Sequence, residues 1–135
     1  MKPFIEYQKN WMIWILVIVV LLVLCGTCKS EETIKASWYS VESLKKEGSW
    51  AIWKGVMSNG EQFNDDAYTC ASRMHNLGTM LMVTNLNNGA RVQVKVTDKI
   101  GKRFAKTRID LSKKAFSQIA NLKWGVVPIK IEVIK

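Results

Sequence analysis

Arg91-Val-Gln-Val-Lys-Val-Thr-Asp98 alternates polar and apolar residues with a period of two, the pattern of a strand buried on one face. Val92, Val94 and Val96 share that face, and counting on by two places Asp98 there as well. A carboxyl at a strand end, on the side its valines point to, is expected to be partly desolvated. Desolvation raises a carboxyl pKa toward the range useful for proton donation, which makes Asp98 the first candidate for chemistry. The plainer alternative is an Asp that opens the turn before Lys99-Ile100-Gly101.

Working outward, Met80 to Leu86 and Arg91 to Thr97 flank Asn87-Asn88-Gly89, a hairpin signature for a turn that needs positive φ. Ala36-Ser-Trp-Tyr-Ser40 reads as a first strand and Val127 to Ile134 as a last one. Tyr68-Thr-Cys-Ala71 is strand-like, with Cys70 expected as a small core residue. After Asp98 comes a basic loop, Lys99 to Arg108. Ile109-Asp-Leu-Ser112 then opens a helix, with Asp110 or Ser112 accepting from an orphan N–H at its start. Leu111, Ala115, Ile119 and Leu122 form its apolar stripe, and Asn121 to Gly125 close it. Asp110 is read as structural, either that helix start or a partner for Arg108. Between Val41 and Gly55 the pattern is less regular, with Leu44-Lys-Lys-Glu-Gly48 a turn or helical stub. Trp50 and Trp53 are expected in the core, because large aromatics dominate small cores; an exposed sugar platform is the other reading. Many short strands, one late helix and no βαβ rhythm point to a small closed β-barrel.

Composition narrows the function. The 135-residue chain has no charged residue over the 19 positions from Asn10 to Cys28, a run that approaches the ~30 Å thickness of a bilayer core. Lys2 and Lys9 ahead of it favour a cytoplasmic N-terminus and export of the remainder of the chain. Residues 1–28 are therefore expected to be a signal or anchor, 29–35 a linker and 36–135 the barrel domain. Leu24 before Cys25 and Thr27 before Cys28 fit a lipidation site poorly, so a retained anchor is preferred over a lipoprotein. Two of the 20 Lys+Arg and one of the 11 Asp+Glu precede Lys29, which leaves 18 and 10, or +8, for the exported part. Such a charge suits an anionic polymer or surface. Export and the lack of an aromatic-interleaved basic stripe speak against nucleic acid. One exported cysteine excludes a disulfide framework, and one His with one Cys makes no zinc-ligand cluster, so no metal or organic cofactor is expected.

Several segments occur in a recognisable order: Ala36-Ser-Trp-Tyr-Ser40, Asn59-Gly-Glu-Gln-Phe-Asn64, Tyr68-Thr-Cys-Ala71, Leu77-Gly-Thr79, Val83-Thr-Asn-Leu-Asn-Asn-Gly89, Val94-Lys-Val-Thr-Asp98 and Arg108-Ile-Asp-Leu-Ser112. From Lys35 to Lys135 the chain resembles the rare lipoprotein A family, exported bacterial proteins built on a six-stranded double-psi β-barrel. That resemblance implies an endolytic peptidoglycan lytic transglycosylase, cleaving between MurNAc and GlcNAc, and hence a place in the cell envelope with the barrel on the periplasmic side. Asp98 matches the family's catalytic Asp, and Glu61 a second acidic residue of its site. Asn64 stands where relatives carry another acidic residue. Ser72 stands where they carry a His, while the chain's one His, His75, lies three residues on and is expected as a surface turn residue. Asn64, Ser72, Arg73 and Arg91 are expected to contact the glycan, the arginines together with the Lys99–Arg108 loop. The alternative is a groove that holds glycan without cutting it, as in expansins.

Overall fold

The structure, a computed structural model, describes residues 11–20 and 33–135. The chain divides into two units, Met1–Glu31 and Glu32–Lys135. In the first, residues 11–20 are helical and exposed. The last eight residues of the uncharged run, with Cys25 and Cys28 among them, and the start of the linker lie outside the described residues. Among the described residues no helix is long and apolar enough to cross a membrane.

The second unit is a closed six-stranded barrel. Its strands are β1 (Lys35–Tyr39), β2 (Thr69–Ala71), β3 (Met80–Asn85), β4 (Arg91–Asp98), β5 (Arg108–Ser112) and β6 (Val126–Val133), in the spatial order β1-β5-β2-β4-β3-β6. The pairs β1/β5 and β2/β4 run parallel and the other four antiparallel, so two parallel crossings interlock. Closure leaves no strand edge open for pairing with another chain. The alternation read in β4 holds: Val92, Val94 and Val96 are buried, as are their counterparts Leu81 and Val83 on β3. Ile109, Leu111, Val127, Ile129 and Cys70 complete the interior with Phe116 and Ile119 from a helix. Each such aliphatic or aromatic side chain contributes about 1.5–3 kcal/mol by leaving water.

The helix expected to begin at Ile109 begins at Lys113: α3 spans Lys113–Ile119. Arg108–Ser112 is instead β5, with Ile109 and Leu111 inward. A strand this short forms only because β1 and β2 flank it on both sides, and neither partner is legible from its own five residues. Ser112, not Asp110, caps α3, its hydroxyl accepting from Ala115 N–H at 3.2 Å. Two further one-turn helices, α1 (Val41–Lys46) and α2 (Ser49–Trp53), fill the irregular stretch after β1. A capping box between Ser40 and Ser43 starts α1, and the Asp65 carboxylate accepts from Val41 N–H at 2.9 Å.

The hairpin expected around Asn87-Asn88-Gly89 is present, with Gly89 at φ +73°. Its Asn85 is fully buried. Asn85 Nδ2 donates to the Ile119 carbonyl at 2.8 Å and Oδ1 accepts from Asn87 N–H at 2.9 Å, while Asn88 Nδ2 reaches the same carbonyl at 2.9 Å. The hairpin thus satisfies a carbonyl that the end of α3 leaves without an intrahelical partner.

Candidate active site

Asp98 stands where β4 leaves the barrel, and the parity count that pointed to it stops one residue short. On β2, Cys70 pairs with Val96 but Ala71 pairs with Asp98, so Thr97 is an extra, bulged residue. Val96 and Thr97 are both buried in succession, and the bulge re-aims the chain so that Asp98 emerges half-buried. Bulges bend and twist a strand in this way, often beside active sites. Asp98 borders a cleft of about 530 Å³ together with Tyr39, Ser58, Arg73 and Lys99.

The carboxylate is asymmetric. Oδ1 accepts from Ser58 N–H at 3.0 Å, Ser58 Oγ at 2.6 Å and Lys99 N–H at 2.8 Å. Oδ2 has no hydrogen-bond partner among the described residues. The Ser58 loop is tied to the same strand end, Asn59 N–H donating to the Thr97 carbonyl at 3.1 Å. The Asp98 carbonyl in turn accepts from Ser72 N–H at 3.0 Å. The result is a carboxyl group with one oxygen locked by the protein and the other available to a ligand.

The remaining candidates separate. Arg73 borders the cleft, its Nε donating to the Ile100 carbonyl. Glu61 lies in the loop that carries Ser58 but is exposed outside the cleft lining; its carboxylate accepts from Asn59 Nδ2 at 2.9 Å. Asn64 is exposed as well, with Oδ1 accepting from Asp66 N–H at 2.9 Å. Ser72 is only 1% exposed, and its hydroxyl accepts from Met74 N–H at 3.2 Å, so it closes the turn after β2. Arg91 begins β4, seven residues from Asp98 and roughly 23 Å away along an extended strand. It borders a separate shallow hollow with Tyr68, Gln93 and Gln118. His75 is half-buried with Nδ1 at 3.5 Å from Ser72 Oγ, and burial lowers its pKa. Cys70 is a core residue as expected; burial, with the Asp110 charge adding to it, pushes its thiol up to about 12.

Tyr39 borders the cleft but was not singled out by its sequence surroundings. Tyr39 stacks on Phe63 with ring centroids 4.4 Å apart, and its buried hydroxyl has no hydrogen-bond partner among the described residues. Burial raises its pKa, and the charges of Asp98, Cys70, Asp110 and Asp65 add to that, so the phenol stays a neutral donor. Asp110, on β5 opposite Ser37 of β1, accepts a hydrogen bond from the Ser37 hydroxyl. Burial raises the Asp110 pKa, the Ser37 hydrogen bond and Arg108 oppose the rise, and Glu47 adds to it. An acid whose folded pKa is raised binds its proton more tightly when folded, so stability is lost as pH rises through that value. Asp110→Asn keeps an acceptor for Ser37 and removes the buried charge. It is expected to raise Tm at pH 7, by an amount that shrinks toward pH 4 in circular-dichroism melts. A Tm gain that does not depend on pH would refute this account.

A closed barrel with two parallel crossings, carrying a half-buried carboxyl in a rim cleft, defines a double-psi β-barrel domain with a one-carboxyl site. A family model described as lytic transglycolase matches residues 45–131. The chain belongs to this family and resembles its rare lipoprotein A members. It is 46% identical over 77 residues to the endolytic peptidoglycan transglycosylase RlpA of Campylobacter jejuni, covering 57% of this chain and 28% of the relative. It is 40% identical over 103 residues to a probable endolytic peptidoglycan transglycosylase RlpA of a Nostoc species, covering 76% of this chain and 27% of the relative. The chain therefore spans little more than a quarter of the length of these two relatives. Among solved structures, the Streptomyces papain inhibitor aligns with a TM-score of 0.57 at 24% identity, over 76% of this chain and 93% of that one. A variant of Clavibacter michiganensis expansin in complex with cellohexaose aligns at 0.52 and 19%, over 77% and 50%. Both likenesses are of fold.

Proposed function

We propose that this chain is an endolytic peptidoglycan transglycosylase of the cell envelope, with Asp98 as both acid and base. Hydrolysis of a glycoside normally takes two carboxyl groups flanking the bond. In the cleft, Asp98 is the one carboxyl among the described lining residues. A single carboxyl suffices when the nucleophile is the 6-hydroxyl of the muramic acid itself. Protonated Asp98 donates to the glycosidic oxygen as the C1–O bond breaks and the GlcNAc side leaves as an alcohol. The carboxylate then takes the proton from the 6-hydroxyl as its oxygen bonds to C1, which closes the anhydro ring and restores the acid. No water is consumed. The free Oδ2 beside a locked Oδ1 is the observation that carries this reading, because it presents one oxygen to substrate in a fixed orientation.

Glu61, on the loop that holds Asp98, is proposed to act electrostatically from the rim, favouring the positive charge that develops at C1. Arg73 and Lys99 at the cleft suit the anionic wall polymer. Residues 1–28 are proposed as the membrane anchor that keeps the exported domain near the wall, with a lipid on Cys25 or Cys28 as the variant form.

Ser58→Ala removes the 2.6 Å hydroxyl bond to Oδ1 and leaves the two amide bonds. Cleavage is expected to fall about tenfold with the fold unchanged, since a hydrogen bond to a charged group contributes about 1.5–3 kcal/mol. Equal rates for Ser58→Ala and the unsubstituted chain would remove Ser58 from the site.

The defining test is mass spectrometry of soluble products from intact and amidase-stripped sacculi incubated with the full chain. Anhydro-muramic ends are expected. Reducing ends would replace this mechanism with hydrolysis. Absence of products together with retained sacculus binding would favour the expansin-like module, the reading suggested by Asn64 and Ser72.

A further inference from the structure

Part of the lining of the Asp98 cleft is an aromatic wall that the reaction chemistry does not use. Trp50 and Trp53 are three residues apart on α2, so their rings leave the helix on the same side. Both border the cleft that holds Asp98. The expectation that they are core residues is met by neither: Trp50 is half-buried and Trp53 is 67% exposed, beside Ile52 at 74%. An exposed apolar surface continuous with a functional cleft marks a binding surface.

The wall is rigid. The Trp50 ring lies directly on Gly55, where an added Cβ would come within 2.4 Å of two ring carbons. Gly55 also has φ +73°, a backbone conformation that L side chains rarely adopt. Phe63 N–H donates to the Gly55 carbonyl at 2.7 Å, and Gln62 Nε2 donates to the Lys54 carbonyl at 2.8 Å. These bonds fasten the Trp50–Gly55 segment to the chain just beyond Ser58, the residue that orients Asp98. Trp53 is therefore an exposed indole on a wall whose position is coupled to the carboxyl group.

We propose that Trp53, with Trp50 on the same short helix, is a sugar-stacking subsite that takes one pyranose ring of the glycan strand next to the bond at Asp98. The proposal rests on the glycan-cleaving reading above. The C–H face of a pyranose is apolar and positively polarised, and it settles on the negative face of an aromatic ring while the hydroxyls stay at the edge. A membrane surface would also accept Trp53 and Ile52 flanked by Lys45, Lys46 and Lys54. The cleft shared with Asp98 favours the glycan, since a ring stacked there occupies the same cleft as the reacting carboxyl group.

The test compares the full chain with Trp53→Ala and Trp53→Phe, using amidase-stripped glycan strands as ligand and substrate. Trp53→Ala is expected to weaken strand binding about tenfold and raise KM by a similar factor, with kcat within about twofold. Trp53→Phe is expected to restore most of the loss. The exposure of Trp53 makes the substitution compatible with folding, which circular dichroism checks. Unchanged strand binding in Trp53→Ala, with cleavage by the unsubstituted chain intact, overturns the subsite and leaves the proposed activity standing. Unchanged strand binding with weaker co-sedimentation on phosphatidylglycerol vesicles also overturns it, reassigning the face to a membrane. Failure of the unsubstituted chain to bind strands overturns both, and binding without cleavage overturns the proposed activity alone.

Discussion

Asp98→Asn is expected to lower cleavage of peptidoglycan by about 10³- to 10⁴-fold, with sacculus binding retained. Positioned acid–base groups contribute about 10²- to 10⁴-fold, and here one group serves in both proton transfers, which places the loss at the upper end. The substitution is close to isosteric. An Asn side-chain oxygen can accept from Ser58 N–H, Ser58 Oγ and Lys99 N–H as Oδ1 does. The weaker bonds to a neutral acceptor are expected to lower stability by about 1 kcal/mol, a shift of about 4–8 °C in Tm at this domain size. Loss of activity without loss of fold is thus the expected pair of results. Retention of more than a tenth of the unsubstituted rate would show that Asp98 is not the acid, and Glu61 would be next in line by its place on the same loop.

The second large effect is on stability. Asn85→Ala is expected to cost about 2–4 kcal/mol, because it removes two hydrogen bonds at a fully buried position and leaves the Asn87 N–H without its acceptor. Asn88→Ala likewise removes two bonds, one to the same Ile119 carbonyl and one accepted from Ala90 N–H, but from an exposed residue, and is expected to cost under about 1 kcal/mol. The two variants share an acceptor and differ in burial, so thermal melts or urea titration of the pair isolate the effect of burial. Equal losses would mean that the carbonyl at the end of α3, and not desolvation around Asn85, sets the penalty. Asn85 belongs to the stretch that reads as one strand of a hairpin, and its larger role is to couple that hairpin to the helix.

Local patterns carried much of the architecture. The valines of β4, the Asn87-Asn88-Gly89 turn, the last strand and the cap at Ser112 all depend on residues within a few positions of one another. Arg108–Ser112 shows where that locality ends. Its alternation and its helix-capping serine are both genuine signals, but they belong to a strand and to the helix after it. Only the presence of β1 and β2 on either side decides that Ile109 and Leu111 face the barrel interior. Trp50 and Trp53 show the converse, since hydrophobic size predicted burial while the short helices left Trp53 at the surface.

For the site, residue type and period alone show that Asp98 closes a half-buried strand and that residues 29–135 are strongly basic. These follow from residue type and short-range periodicity, which the local backbone expresses directly. Which candidates meet is set by long-range contacts. Arg73 shares the cleft with Asp98, Glu61 stands outside its lining, Ser72 is buried in a turn, and Arg91 sits at the far end of the same strand. The bulge at Thr97 defeats a count of two, because an inserted residue is visible only against the partner strand that does not contain it. The same holds for Ser58, 40 positions away in sequence, which donates both its amide and its hydroxyl to Asp98. Contacts of that separation are set by barrel closure, and no short window of sequence contains them.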